Sequence, residues 1–243
     1  MSHDASPQTP EPTPPAGGPP PVVLIAAHDE ADRLPATLAA LQAAFPGARV
    51  VVADDGSTDG TAEVAAAGGA EVARSERNVG KGGAATLGAQ LLLDLAHEPD
   101  PPVVLLCDGD LATSADALGE LVETVRRGDA DLAVAAFARR VGGGFGLAVG
   151  FARWAIRRRC GLETVAPISG QRALRADVLP AVVPFAPRFG MEIGMTVDAV
   201  RAGYRVKEVE LPLTHRATGK TLSGFLHRGR QLKDFVAVYL ARR

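Results

Sequence analysis

Val103-Val-Leu-Leu-Cys-Asp-Gly-Asp110 is an unbroken apolar run that ends in two acids flanking a glycine. Apolar side chains at every position suit a strand covered on both faces, as in a parallel sheet packed between helices. Acids placed just past such a strand stand where ligands bind in those sheets, beyond the carboxyl ends of the strands. The same arrangement recurs upstream. Val22–Ala27 runs into His28-Asp29-Glu30, and Arg49-Val-Val-Val-Ala53 runs into Asp54-Asp55. Three strand ends carrying acids on one edge exceed what solvation requires.

Helical periods fill the spaces between these strands. Leu34, Leu38, Leu41 and Phe45 share one face, and Asp-Gly-Ser-Thr-Asp-Gly-Thr61 predicts a turn capping a helix from near Thr58. A strand over Ala70–Arg74 and a helix over Gly82–Ala96 come next. Ser114 caps a helix carrying Leu118, Leu121, Val122 and Val125, before a strand over Asp131–Phe137. This alternation predicts an α/β fold with a mainly parallel, Rossmann-like sheet flanked by helices. The second half is less regular. Gly142-Gly143-Gly144 reads as a loop, Phe189–Ala202 as a helix, Tyr204–Leu211 as a strand and Leu222–Leu240 as a basic amphipathic helix.

Residues 1–21 hold eight of the 18 prolines and almost no large apolar side chain, so a disordered tail is expected there. The folded unit is expected over 22–243, with its regular strand–helix half at 22–137 and a less regular half at 138–243. A net charge of −2 argues against nucleic acid as a partner. Two cysteines, Cys107 and Cys160, offer neither a disulfide framework nor metal-ligand spacing. The tail lacks the apolar core of a signal peptide and no run approaches a membrane span, so a cytoplasmic protein is expected. It could lie peripherally on the inner face of the membrane.

Asp108 and Asp110, two apart on extended backbone, would point to one side. Paired carboxylate oxygens suit Mg²⁺ or Mn²⁺, which would also take oxygens from a diphosphate. A carboxylate of Asp54 or Asp55 could accept from a nucleobase N–H, and Glu30 could bind a ribose hydroxyl. Each also has a structural use, in a capping turn or the first turn of a helix. Glu192 falls in the first turn of its helix beside Met195, Thr196 and Ala199. Apolar neighbours favour the proton-holding form of a carboxyl group, which suits a general base or an acceptor-orienting group. Arg172, Arg175, Arg216 and Lys220 could meet an anionic acceptor, and the basic helix with His227, Arg228, Arg230 and Lys233 could lie on an anionic membrane.

Four stretches together resemble the family 2 glycosyltransferases, which have the GT-A fold. They are Val23-Leu-Ile-Ala-Ala-His-Asp-Glu30, Val51–Thr61, Asn78-Val-Gly-Lys-Gly-Gly83 and Leu105-Leu-Cys-Asp-Gly-Asp-Leu111. The resemblance implies an enzyme that moves a sugar from a UDP- or GDP-sugar to a hydroxyl or phosphate acceptor. It implies a donor site of Ala27, Glu30, Asp54, Asp55, Lys81 and Asp108, with metal at Asp108 and Asp110. It also makes 22–137 the nucleotide-sugar half and 138–243 the acceptor half. One departure is that Ala26-Ala27-His28-Asp29-Glu30 stands where the family usually has Pro-Ala-Tyr-Asn-Glu. Phe189-Gly-Met-Glu-Ile-Gly194 and Leu211-Pro-Leu-Thr-His-Arg216 are similar to the glucosyl-3-phosphoglycerate synthases and the polyprenyl-phosphate glycosyltransferases. By that likeness His215 is a further metal ligand, and the acceptor carries a phosphate or is a polyprenyl phosphate.

Competing classes fit less well. Gly80-Lys81-Gly82-Gly83 stands a gap away from its strand, unlike a dinucleotide fingerprint, and lacks the Walker ending. A sugar-phosphate nucleotidyltransferase would share the sheet but needs a Gly-rich, Arg-containing loop after the first strand, where Ala-His-Asp-Glu stands. A non-catalytic nucleotide-sugar binding module would not need Asp108, Asp110 and Glu192 together.

Overall fold

The computed structural model describes residues 19–109, 111, 115, 117–137, 146–211 and 233–242, with backbone only at 137, 146 and 147. Seven strands form one sheet in the order β3-β2-β1-β4-β6-β5-β7. They are β1 Val22–Ala27, β2 Arg49–Asp54, β3 Glu71–Arg74, β4 Val103–Asp108, β5 Leu132–Phe137, β6 Arg172–Arg175 and β7 Val206–Leu211. All run parallel except β6, which is antiparallel to both β4 and β5. The expected mainly parallel α/β sheet is therefore present.

Side chains alternate between two apolar layers. Val23, Ile25, Val52, Leu105 and Cys107 face one side, where they meet Leu34, Leu38 and Leu41 of α1 (Leu34–Ala44). Leu118, Leu121 and Val122 complete that layer, the latter two from α4 (Gly119–Arg126). Leu24, Val51, Val104 and Leu106 face the other. They meet Ala84, Ala85 and Ala89 of α3 (Lys81–Gln90) and Met191, Met195 and Ala199 of α7 (Met191–Arg201). The opposite face of α7 offers Ile193 and Val197 to a third layer. That layer is built from Ala148, Ala152 and Ile156 of α5 (Gly146–Cys160) and Phe235 and Val238 of a helix α8 over 233–241. Covered on two sides, α7 is buried along Met191–Val197.

Two short helices, α2 (Thr61–Ala67) and α6 (Leu179–Val182), fill connections. α2 starts three residues later than the periodicity predicts. Asp59 accepts from Thr61 N at 3.1 Å, while Thr58 N donates to Asp29 Oδ1 at 2.9 Å and is drawn toward the end of β1. The predicted Gly82–Ala96 helix ends at Gln90 and is followed by a 3-10 turn over Leu93–His97. β6 and α5 were not expected. Arginines bracket both ends of β6, which hides a central strand behind a polar signature. The expected capping by Ser114, the 142–144 loop and most of the 222–240 helix lie outside the described residues. Among the described residues no helix is long and apolar enough to cross a membrane.

Candidate active site

β1 lies between β2 and β4: the chain steps outward from β1 to β2 and β3, then returns past β1 to β4 on its other side. A crevice forms at the carboxyl ends of strands at such a switch point. Asp55 N donates to Ala27 O at 2.9 Å and Gly109 N to Ala26 O at 3.3 Å, so both departing chains stay pinned to β1. Buried Thr37 of α1 holds the Gly109 carbonyl at 2.8 Å. A cavity of about 500 Å³ opens there, lined by Ala27, Glu30, Asp55, Lys81, Asp108 and Glu192 with Ile168, Phe189 and Phe235.

Asp55 is buried and accepts from Val79 N at 2.6 Å and Gly80 N at 2.9 Å. These bonds bring the start of α3 over the strand ends. Gly82 lets α3 come in close, because a Cβ there would collide with the carbonyl oxygen of Ala186. Lys81, the first residue of α3, then reaches down into the cavity. Its Nζ lies 2.7 Å from Asp108 Oδ1 and 2.8 Å from Glu192 Oε1. Burial pulls the ammonium pKa down, but the two carboxylates, Asp108 foremost, outweigh it and hold the pKa well above its ordinary value.

The antiparallel course of β6 completes this constellation. Entering the sheet beside the end of β4, its approach delivers Gly170 and Gln171 to Asp108. Gln171 Nε2 donates to Asp108 Oδ2 at 3.1 Å. Gly170 packs so tightly that a Cβ would stand 2.6 Å from Lys81 Nζ and 2.7 Å from Asp108 Oδ2. Glu192 enters from the first turn of α7, nearly buried. Its surroundings are not purely apolar as the helix period had implied, since the Lys81 ammonium meets it directly.

Glu30, Asp55, Lys81, Asp108 and Glu192 are thus brought together, with Ala27 beside them. Glu30 also pairs with Arg33 at 2.9 Å. Three expected residues are placed elsewhere. Asp54 is wholly buried, accepts from Ser57 N at 3.1 Å and from the Ser57 hydroxyl, and forms an ion pair with Arg74 at 3.2 Å. Its carboxylate staples the turn after β2 and does not line the cavity. Arg172 is buried too. Its guanidinium donates to Ser169 O at 2.8 Å and Thr196 Oγ1 at 3.0 Å, leaving it no access to an acceptor. Burial lowers its pKa to about 10, against the pull of Glu192 and Glu208. Arg175 pairs in register with Val103, at the opposite edge of the sheet from Asp108, and is held by Asp177 at 2.6 Å and Asp131 at 3.4 Å. Asp110, His215, Arg216 and Lys220 lie outside the described residues.

Sequence reasoning passed over Phe235, which lines the cavity, and Gly170 and Gln171, which pack against or bond Asp108. The reversal of β6 is what brings Gly170 and Gln171 to Asp108, and strand direction is not written in a local stretch of sequence.

Residues 22–175 match the family model "Glycosyl transferase family 2". An undecaprenyl-phosphate mannosyltransferase of Micrococcus luteus is 32% identical over 82% of this chain and 86% of its own length. Among solved structures, glucosyl-3-phosphoglycerate synthase of Mycobacterium tuberculosis with Mg²⁺ and UDP superposes with a TM-score of 0.72 at 26% identity, covering 93% of this chain and 79% of that one. The same enzyme with Mn²⁺, UDP-glucose and phosphoglyceric acid gives 0.70 at 25% identity, over 93% and 80%. With acids gathered at the β1–β4 switch point and the family model spanning both strands, the chain belongs to glycosyl transferase family 2.

Proposed function

We propose that this glycosyltransferase moves a sugar from a UDP- or GDP-sugar to the phosphate of a polyprenyl phosphate, working from the cytoplasmic face of a membrane. The observation that carries the reading is the Lys81 ammonium shared between Asp108 and Glu192 on the floor of the cavity. Two acids and one cation converge where a nucleotide diphosphate is received in sheets of this topology. The polyprenyl-phosphate acceptor follows the likeness to the Micrococcus enzyme, whose name gives that substrate.

The donor set fits a hard divalent cation. Asp108 is partly exposed at the cavity, and carboxylate oxygens carry more lone pairs than Lys81 and Gln171 occupy. Among the described residues no three His, Cys, Asp or Glu side chains form a ready ligand set. Mg²⁺ commonly binds through one or two carboxylates and completes its shell with water and substrate phosphates. Asp108, Asp110 and His215 are the residues that would hold Mg²⁺ or Mn²⁺. When bound, the ion supplies Lewis-acid neutralisation of the leaving diphosphate.

The protein's own groups do the rest. Asp55 and Glu30 line the crevice on the nucleoside side, and Asp55 keeps the start of α3 in place. Lys81 puts a fixed positive charge where negative charge grows on the leaving phosphate. Glu192 holds Lys81 from the acceptor side. A phosphate acceptor is already anionic, so Glu192 has no proton to remove from it and acts by orientation.

The test is turnover of UDP- and GDP-sugars with Mn²⁺ and a short-chain polyprenyl phosphate. Release of nucleoside diphosphate together with a glycosylated lipid phosphate is expected. Release of pyrophosphate would point to nucleotidyl transfer, and binding of donor without release to a binding module.

A further inference from the structure

Of the five large apolar side chains exposed among the described residues, three sit on α5 and α8: Trp154, Val236 and Leu240. Trp154 is 49% exposed and Leu240 46%. α8 has two faces. Phe235 and Val238 point into the molecule, and Phe235 lines the active-site cavity. On the outside, Val236, Ala237, Leu240 and Ala241 are exposed at helical spacing, with Lys233 at the head of the stripe. An apolar stripe facing outward is the reverse of what a solvated helix needs.

Aromatic rings join the two helices. Trp154 and Tyr239 stand 4.8 Å apart between ring centres, and Phe151 lies 5.5 Å from Trp154. The Arg159 guanidinium stacks 3.7 Å over Tyr239. Beside the rings a shallow cavity of about 310 Å³ is lined by Trp154, Arg157 and Arg158. Both arginines are exposed, and among the described residues Arg157 pairs with the exposed Glu163, at 3.4 Å. Residues 139–160 contain six arginines and no acid, so the stretch leading to this face is uniformly basic in sequence.

We propose that the α5–α8 face around Trp154 docks on the surface of an anionic lipid bilayer. Amphipathic Trp and Tyr rings favour the depth of the lipid headgroups, where one end of the ring is apolar and the other wet. Arginines beside them meet anionic headgroups, and the exposed Val236–Leu240 stripe enters the acyl boundary. Because α8 shows Phe235 to the cavity and Leu240 to the outside, docking brings the active site to the membrane surface. There the phosphate of a lipid acceptor can reach it without leaving the bilayer. The inference deepens the polyprenyl-phosphate reading and rests on it for its purpose, while the docking itself involves no substrate.

Co-sedimentation of the full chain with vesicles tests it. Phosphatidylcholine vesicles are compared with vesicles of equal parts phosphatidylcholine and phosphatidylglycerol, free of donor and acceptor. Binding to the anionic vesicles is expected, weakened by salt. The pair Arg157→Glu with Arg158→Glu and the pair Trp154→Ala with Leu240→Ser should each weaken it about tenfold. The arginine pair is a surface change, so its melting temperature should stay near that of the parent, whereas Trp154→Ala also removes the ring contact with Tyr239 and should lower it. No binding of the parent chain to anionic vesicles overturns the proposal, as does unchanged binding by both pairs. A dimer in solution that Trp154→Ala dissociates would assign the face to a second copy and overturn it as well. Since the vesicles carry no substrate, failure here leaves glycosyl transfer standing, and failure of turnover leaves the docking result standing.

Discussion

Lys81 answers to two carboxylates at once, 2.7 Å from Asp108 and 2.8 Å from Glu192, and this sharing sets what each acid can do. A general base needs a free lone pair aimed at the acceptor proton, and Glu192 spends one oxygen on an ammonium. Glu192→Gln keeps the shape and removes the charge. With a polyprenyl-phosphate acceptor, kcat is expected to fall about tenfold or less, because no proton is abstracted. Loss of a true general base costs about 10²–10⁴-fold. Steady-state kinetics of the variant with lipid phosphate therefore separate the roles, and a fall in the larger range would make Glu192 a base and the acceptor group a hydroxyl. Glu30, Asp55 and Asp108 were legible because acids after apolar strands have few structural reasons to cluster, Glu192 as an acid in the first turn of its helix, and Lys81 from the family likeness alone. Asp54 was not separable from Asp55 in sequence. Adjacent residues on a strand end point opposite ways, and only the pairing with Ser57 and Arg74 shows which one turned inward.

At the scale of elements, β6 carries most of what sequence reading missed. Its four residues, Arg-Ala-Leu-Arg, sit between β4 and β5 and run against both. One end feeds Gln171 to Asp108, and the other brings Arg175 beside Asp131 at the far edge. Asp131 also pairs with Arg205 at 3.1 Å, just before β7. The Arg205 hydrogen bonds, and after them the charges of Arg205 and Arg175, outweigh burial and hold the Asp131 pKa below its ordinary 3.8. A carboxylate whose folded pKa is depressed adds stability above its unfolded pKa and loses it as pH falls through the folded one. Asp131→Asn should lower Tm by about 2–4 °C at neutral pH. That gap should close as pH drops below 3.8, which thermal melts across pH 2.5–7 will show. A gap constant with pH would mean that Asp131 acts through shape and not through charge.

For the molecule as a whole, the candidate donor site is assembled from distant parts: strand ends of the first half, the head of α3, the approach to β6, α7 and α8. A ligand that binds only this assembled state stabilises all of them together. At about 100 times its Kd, UDP or GDP with Mn²⁺ contributes about 2.7 kcal/mol, which is about 5–10 °C in Tm for a chain of this size. Asp108→Asn should abolish the Mn²⁺-dependent part of that shift while leaving the unliganded Tm close to the parent. A full shift in the variant would remove the metal from Asp108.

Apolar runs, their helical spacers and the acids at their ends determined an α/β sheet of mainly parallel strands and the edge at which those acids gather. These features are local, and hydrophobic period is a local property of the chain. The direction of β6, the inward turn of Arg172, the exile of Arg175 and the meeting of Lys81 with Glu192 across 111 positions were decided by tertiary structure alone. Arginine in a sequence is a charge with a long reach. Whether that reach ends in solvent, in a ligand or on buried carbonyl oxygens depends on which strands flank it, and strand order is a property of the whole sheet.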